Sequence, residues 1–164
     1  MKTPNELSAD TLSIETEIRI AAPPALVWPI LTAFANYGDW NRYITSITGV
    51  AEAGANIVVR TRDTMSGHEM AQTVRIERLE PHLMHWVGMT VSPKQLRSDH
   101  FFELLPVAGD ETVLLHREAF SGNLAAVVLA QYGEPMRTNF ETFNECLKAS
   151  AEAARGSSVR SVRS

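Results

Sequence analysis

The sequence has little cysteine and no long apolar run. One cysteine, Cys146, among 164 residues excludes an internal disulfide and a zinc cluster built of cysteines. No segment reaches the roughly 18 uninterrupted apolar residues of a membrane span, and no apolar stretch follows Lys2 as it would in a secretion signal. We therefore expect a cytoplasmic protein without a membrane span, held together by side-chain burial.

An excess of positive charge is also missing. The chain carries 15 Lys and Arg against 19 Asp and Glu, a formal net charge of -4, whereas nucleic-acid binding usually needs a basic surface. Nucleic acid is therefore not an expected partner. The sequence also lacks a phosphate-binding loop, a dinucleotide fingerprint and a Gly-x-Ser-x-Gly elbow, so we predict no cofactor.

The histidines do not form a metal-binding pattern. His68 and Gln72 have the spacing of a zinc-protease motif, but glutamine replaces the second ligand and the context is typical of a strand. His82 and His85 are three residues apart, which in a strand places them on opposite faces. We predict no metal site, but one surface histidine and one packed near Trp86.

Apolar residues make up 45% of the chain, enough for one domain with its own core. We expect that domain at residues 12–153. The segments 1–11 and 154–164 are polar and lack periodicity, which predicts flexible tails.

Alternation of apolar and polar residues predicts seven strands. We place them at 14–20, 44–50, 56–63, 70–79, 83–89, 97–105 and 111–120. A helix is predicted to begin at Pro24 and to kink at Pro29, because an interior proline costs about 3 kcal/mol.

A second helical pattern begins at Leu124. Gly133 and Pro135 predict an interruption, with a new helix opening at Pro135. The stripe in this last helix consists of Met136, Phe140, Phe143, Leu147 and Ala151. Strands followed by a long helix indicate an α+β fold in which the helix covers one face of the sheet.

Several short motifs occur in an order and spacing that resemble one family. They are Ala22-Pro23-Pro24, Val27-Trp28, Phe34-x-x-Tyr37-x-x-Trp40-Asn41, Leu79-Glu80-Pro81 with Leu83 and Trp86, His100-x-Phe102-Glu103-Leu104, and Phe120-x-Gly122. With the final amphipathic helix they resemble the START/SRPBCC superfamily, close to its polyketide cyclase/dehydrase-like branch. Arg42 departs from that pattern, since the family often has proline after the Trp-Asn pair.

The resemblance implies a helix-grip fold. In such a fold a curved antiparallel sheet of about seven strands wraps around a long C-terminal helix, two short helices follow the first strand, and an elongated apolar cavity lies between sheet and helix. Members hold lipids, sterols, aromatic polyketides or hormone-like molecules. Some are enzymes, and many only bind or carry.

The hairpin of residues 97–120 carries the most informative cluster. If Phe102 lies opposite Leu114, then His100 lies opposite His116, on the same face as Glu118. Two imidazoles and a carboxylate in an apolar pocket could act as general acid and base. The simpler alternative is a satisfied polar cluster under the long helix, or a register shifted by two residues.

On the opposite face of this hairpin, Asp99 and Arg117 are predicted to form a surface ion pair. We assign no catalytic residue, but His100, His116 and Glu118 are the candidates. The residues expected to contact a ligand are Trp40, Tyr43, His100, Phe102, His116, Glu118, Met136, Phe140 and Phe143.

Three functions fit these observations. The first is binding or carriage of a small hydrophobic molecule, lipid-like or aromatic polyketide-like, in an internal cavity. The second is a cyclase/dehydratase enzyme that uses the pocket histidines and Glu118. The third is a surface interaction module that uses the apolar segment 122–132. The protein is expected to be a monomer or a homodimer.

Overall fold

A computed structural model describes residues 12–89 and 92–161. The predicted tail at 1–11 lies outside the described residues. Seven antiparallel strands form one sheet in the order β1-β7-β6-β5-β4-β3-β2. Their bounds are β1 Leu12–Ile20, β2 Ile44–Thr48, β3 Asn56–Arg62, β4 Glu69–Glu80, β5 Leu83–Met89, β6 Arg97–Val107 and β7 Glu111–Ser121.

Three helices complete the fold. Helix α1 spans Pro24–Thr32, a 3-10 turn spans Phe34–Asn36, α2 spans Tyr37–Trp40 and α3 spans Ala125–Ser161. The curled sheet and the long C-terminal helix make a helix-grip fold, which confirms the predicted class. Helix α1 continues through Pro29 and ends at Thr32.

Helix α3 differs from the prediction in two ways. It runs without interruption through Pro135, so no second helix opens there. Pro135 is exposed, so the carbonyl left without a donor one turn earlier can be hydrated. The helix also extends beyond residue 153, where Arg155 donates from Nη1 to Ala21 O (2.8 Å) and to Asp110 O (3.1 Å).

The register of the β6–β7 hairpin differs from the predicted one by two residues. Phe102 lies opposite His116, and His100 lies opposite Glu118. The strands are longer than predicted and leave a turn centred on Gly109. Gly109 (φ 87°) and Asp110 (φ 55°) both adopt left-handed backbone there. A shift of two preserves the faces, so the two histidines and Glu118 still point toward α3.

The core lies between the concave face of the sheet and α3. From the sheet come Phe102, Leu104 and Leu114, and from the helix come Phe140, Phe143, Leu147 and Ala151, each at most 2% exposed. Within the described ranges, no helix is long and apolar enough to cross a membrane.

Candidate functional site

Aromatic rings and two histidines fill the space between sheet and helix. His116 stacks on Phe140 with ring centroids 4.2 Å apart, and His100 stacks on Phe102 at 4.6 Å. Phe143 contacts Phe102 at 5.2 Å and His116 at 5.0 Å. We call these five residues the inner cluster. Because all of them are 6% exposed or less, the described conformation leaves them no direct access to solvent.

A continuous chain of polar contacts crosses the inner cluster. Thr16 Oγ1 donates to the backbone oxygen of His116 (3.3 Å), and Asn144 Nδ2 donates to Thr16 Oγ1 (3.0 Å). His116 Nδ1 lies 2.8 Å from Asn144 Oδ1, and His116 Nε2 lies 2.7 Å from His100 Nε2. At the far end, His100 Nδ1 is 3.7 Å from Glu118 Oε2.

This chain fixes the tautomers of both histidines. A backbone carbonyl only accepts, so Thr16 donates to it and accepts from the Asn144 amide nitrogen. The Asn144 oxygen therefore faces His116 Nδ1, which must carry a hydrogen. Neutral His116 then offers a bare Nε2, to which His100 donates from its Nε2. His100 is left with a bare Nδ1 facing Glu118.

Burial shifts the pKa values of the three candidate acid-base groups toward their neutral forms. It lowers the pKa of His116 to about 3, although Asn144 and the Phe140 backbone raise it. Burial also lowers the pKa of His100 well below 6.5, as does the neighbouring His116. Burial raises the pKa of Glu118 to about 7, against a lowering hydrogen bond with Ser98. Near neutral pH both imidazoles are thus uncharged.

The outer face of the same strands does not contain the predicted Asp99–Arg117 ion pair. Asp99 instead accepts from Arg97 and contacts His85 Nε2 at 2.9 Å. Burial raises the pKa of Asp99, but His85 and Arg97 outweigh it and lower the value to about 2. The Arg117 guanidinium lies over the Phe101 ring at 4.9 Å. The register explains the correction, since Arg117 lies opposite Phe101 rather than Asp99.

Two further histidines, His82 and His85, stand apart from the inner cluster. His85 is buried and stacks on Phe101 at 4.1 Å, and His82 meets the edge of the Trp28 ring at 6.3 Å. Among the described residues, no three His, Cys, Asp or Glu side chains form a group that could hold a metal ion.

A pocket of about 730 Å³ opens beside α3, where the helix faces the end of the sheet. Four of its lining side chains are threonines and three are charged. The lining residues are Gly38, Asn41, Arg42, Thr45, Arg62, Asp63, Thr64, Met65, Gly67, Thr138 and Thr142. They come from α2, the α2–β2 connection, β2, the end of β3, the β3–β4 turn and one face of α3.

Asn139 holds the β3–β4 turn against α3. Its Oδ1 accepts from Thr64 N (2.9 Å) and Thr64 Oγ1 (2.7 Å), and its Nδ2 donates to Asp63 Oδ2 (2.7 Å). Ser66 donates to the other Asp63 oxygen from N (2.7 Å) and Oγ (2.6 Å). Hydrogen bonds from Ser66 and Asn139 lower the pKa of Asp63 to about 2. This turn is therefore fixed at the pocket rim.

Two donors next to the pocket have no hydrogen-bond partner among the described residues. They are Trp40 Nε1 and Asn41 Nδ2, both buried. Asn41 is 5% exposed, and its Oδ1 accepts from Tyr43 N (2.9 Å) and Ile44 N (2.8 Å). A buried donor without a partner costs about 1–3 kcal/mol, so each of these groups gains from an acceptor.

The residues predicted to contact a ligand lie apart from the pocket lining. Trp40 packs on Tyr37 (4.8 Å) and Phe143 (5.6 Å), and Tyr43 packs on Phe140 (6.3 Å). Met136 packs beside Phe140 at the edge of the core. The predicted set thus forms one continuous core, and its contact with a ligand stays a prediction.

Sequence reasoning missed most of the lining. Thr138 and Thr142 are four residues apart on α3, a spacing that places both on one helix face. That spacing was visible in the sequence, but threonine on a helix carries no signal for a pocket. Met65 also lines the pocket and is 74% exposed.

The apolar segment at the start of α3 is partly exposed. Leu124 is 45%, Val127 is 59% and Tyr132 is 50% exposed, while Ala125 is buried. The surface-module hypothesis built on this segment stays a prediction.

A family profile described as "Polyketide cyclase / dehydrase and lipid transport" matches residues 11–152. The chain belongs to this family. The match covers the whole sheet and most of α3, and so confirms the superfamily inferred from the sequence motifs. No curated protein matches the chain.

Solved structures of this superfamily share the fold at low identity. The Zhui aromatase/cyclase from Streptomyces is 18% identical over 85% of this chain and 93% of its own, with a TM-score of 0.67. A START superfamily protein from Mycobacterium smegmatis is 14% identical over 82% of this chain and 98% of its own, with a TM-score of 0.58. The di-domain ARO/CYC StfQ from the steffimycin biosynthetic pathway is 11% identical over 89% of this chain and 52% of its own, with a TM-score of 0.70. At these identities the likeness shows the fold alone.

Proposed function

We propose that this family member binds and carries a small hydrophobic molecule, aromatic polyketide-like or lipid-like, which enters through the pocket beside α3. The observation that carries the proposal is the pocket volume of about 730 Å³. Pockets for small molecules usually measure about 300–1,000 Å³. The family description, which names both polyketide cyclases and lipid transport, supports the same class of ligand.

The apolar part of the ligand would meet the aromatic side chains next to the pocket. Trp40 and Phe143 are the chain neighbours of the lining residues Asn41 and Thr142, and their rings contact each other at 5.6 Å. Trp40 is only partly buried, and its indole nitrogen has no partner among the described residues. A rotation of this ring would extend the pocket toward the inner cluster.

Carriage is favoured over catalysis because the acid-base candidates are buried and do not line the pocket. His100 and His116 are hydrogen-bonded to each other, and neither lines the pocket. The polar contacts run from Thr16 to Glu118, and neither of these residues lines the pocket, so they pass a proton to no group there. In this conformation these hydrogen bonds order the core, and the residues that form them do not contact a ligand.

The test combines detection of a bound molecule with a blocked pocket. Native mass spectrometry and solvent extraction of the purified protein should reveal a stoichiometric hydrophobic adduct. Thr142→Trp places a large side chain in the pocket and should abolish the adduct, whereas Glu145→Trp, on an exposed position of the same helix, should retain it. Equal occupancy in both variants would exclude the pocket as the entrance.

A cyclase/dehydratase activity is the second candidate, and one observation favours it. Glu118, with a pKa raised to about 7 by burial, lies 3.7 Å from His100 and titrates where general acids and bases operate. If this reading holds, Glu118→Gln and His100→Gln abolish turnover of a poly-β-ketone substrate and leave its affinity nearly unchanged. Unchanged turnover in both variants would exclude this function.

A further inference from the structure

We propose that Asn41 and Arg42 form a recognition site for a carboxylate group, so that the ligand is a hydrophobic molecule with an acidic head rather than a neutral one. This inference rests on the proposed function and adds the chemistry of the polar end. It starts from the buried side chain of Asn41, which uses only part of its hydrogen-bonding capacity. The Asn41 amide uses its oxygen twice within the chain and its nitrogen not at all among the described residues.

The orientation of that amide is fixed by its own backbone. Tyr43 N and Ile44 N both donate to Asn41 Oδ1, and two N–H groups cannot bond an NH2 group. The nitrogen is thus the free end of the amide. Asn41 lines the pocket. Its Nδ2 atom has almost no exposed surface, so an acceptor in the pocket would bond it after a small side-chain displacement at the pocket wall.

The residue that follows this donor in the chain carries a positive charge. Arg42 follows Asn41 directly, lines the same pocket and is exposed. Among the described residues it has no ion-pair partner, unlike Arg62, which pairs with Glu69. An arginine fork and an amide N–H together match the two oxygens of a carboxylate.

The lining contains one carboxylate, Asp63, against the two guanidinium groups of Arg42 and Arg62. Both oxygens of Asp63 are occupied, one by Ser66 and the other by Asn139. These bonds hold its charge at the β3–β4 turn, where the Arg62 guanidinium is the chain neighbour.

Three threonines of the lining use their hydroxyl hydrogens within the protein. Thr142 donates its hydroxyl hydrogen to Thr138 O (3.0 Å), and Thr138 donates its own to Glu134 O (3.2 Å). Thr64 donates to Asn139 Oδ1 (2.7 Å). These hydroxyls therefore offer a ligand only lone pairs, and they would disfavour an anion near α3. A carboxylate is thus confined to the Asn41 and Arg42 side of the pocket.

The experiment compares each acid with its neutral ester. Binding of naphthalene-2-carboxylate and of dodecanoate, each against its methyl ester, is measured by isothermal titration calorimetry. A charge-assisted pair of hydrogen bonds predicts acids bound roughly ten- to a hundred-fold more tightly than the esters. Perturbation of the Asn41 side-chain amide resonances by the acids alone would locate the contact.

Two variants test the assignment. Asn41→Asp keeps an oxygen for the two backbone donors but replaces the free NH2 by a second oxygen, so it should remove the preference for the acid. Arg42→Gln should reduce that preference at least tenfold, and its exposed position makes misfolding no obstacle. Arg60→Gln, an exposed arginine of β3 outside the lining, removes the same charge and should change nothing.

The outcomes separate the two proposals. Equal affinity for acid and ester would overturn the carboxylate site and leave hydrophobic ligand binding intact. Binding of neither pair would overturn both. An equal loss of acid affinity in Arg60→Gln and Arg42→Gln would assign the preference to the general field of the protein and overturn the site.

Discussion

The buried histidine pair works as a neutral hydrogen-bonding unit. Its protonation is set by Thr16 and Asn144, which fix which nitrogen of each ring carries hydrogen. A cation on His116 would place two hydrogens between the Nε2 atoms of His100 and His116, which are 2.7 Å apart, whereas a proton added to His100 would go to Nδ1, which faces Glu118. His116 therefore opposes protonation by geometry as well as by burial, and His100 by burial and by its neighbour His116.

Acid should destabilise the protein through these two residues. The pKa of His116 is lowered to about 3 and that of His100 is lowered well below 6.5, so the unfolded chain binds protons that the folded chain does not. The free energy of unfolding should thus fall by a few kcal/mol from about pH 7 to pH 4. Urea denaturation at a series of pH values measures this, and His116→Gln should flatten the curve. An equally steep curve in that variant would contradict the assignment.

Glu118 changes the pH dependence of the free energy of unfolding in the opposite direction to the two histidines. Its pKa is raised to about 7 from 4.5, so its stabilising contribution is full below pH 4.5 and is lost as pH rises through about 7. Between pH 4.5 and about 7, Glu118→Gln should therefore make the free energy of unfolding rise more steeply with pH, by about 1.4 kcal/mol per pH unit. This is the slope that a difference of one bound proton between the folded and unfolded states produces. Glu103→Gln, on the outer face of β6, is the matched control and should leave the slope unchanged.

Alternation along β6 and β7 was enough to predict which residues share a face, but not which residues are opposite. His100, His116 and Glu118 came together as expected because a two-residue shift keeps side chains on the same side. The shift itself arose at Gly109 and Asp110, whose left-handed backbone centres the turn. The free Asn41 amide had no sequence signal, because it depends on where two later backbone N–H groups point.

At the scale of elements, the β3–β4 turn and α3 act as one unit at the pocket. Asn139 is 4% exposed and joins them through three hydrogen bonds. The predicted strands at 56–63 and 70–79 implied a turn between them, but the sequence gave no sign that this turn contacts a helix more than 70 residues later. Such contacts depend on tertiary packing, which local patterns do not carry.

Removing the Asn139 side chain should release this turn. In Asn139→Ala the pKa of Asp63 should rise from about 2 toward its ordinary value, because one of its hydrogen bonds is lost. Carboxyl chemical shifts followed by NMR through an acid titration measure the pKa directly. Thr138→Ala, whose hydroxyl bonds only within its own helix, should leave it unchanged. An unshifted pKa in Asn139→Ala would contradict the proposed contact.

Pro135 should be the weakest point of α3. It lies inside a continuous helix, lacks a backbone donor and is exposed, so Pro135→Ala should stabilise the protein by about 1–3 kcal/mol. Chemical denaturation measures the change. Pro93→Ala, an exposed proline outside any helix, should have little effect. A destabilised Pro135→Ala protein would mean that the proline favours a needed local geometry.

At the scale of the whole molecule, α3 covers the β1 edge of the sheet. Arg137 donates to Glu15 O and Lys148 to Arg19 O, each at 2.8 Å, while Glu152 Oε1 accepts from Ala21 N at 2.8 Å. The backbone of β1 is thus bonded to β7 on one side and to side chains of α3 on the other. An edge covered in this way does not pair with another chain.

Loss of these hydrogen bonds from α3 should expose the backbone of β1. The double variant Arg137→Ala/Lys148→Ala should lower the free energy of unfolding by about 1–2 kcal/mol and increase light scattering at high protein concentration. Glu141→Ala/Glu145→Ala changes two exposed charged residues of the same helix and should scatter no more than the parent protein. Equal scattering by both double variants would show that β1 is protected by other means.

The pairing of the first strand with the last also determines the order of events during synthesis. β1 ends at Ile20, and β7, its one partner strand within residues 12–89 and 92–161, begins at Glu111. At about 5–20 residues per second the ribosome needs roughly 5–20 seconds to make the segment between them. For that time the isoleucines of β1 have neither a neighbouring strand nor the helix that later buries them. β1 therefore stays exposed in the nascent chain until β7 and α3 have been made.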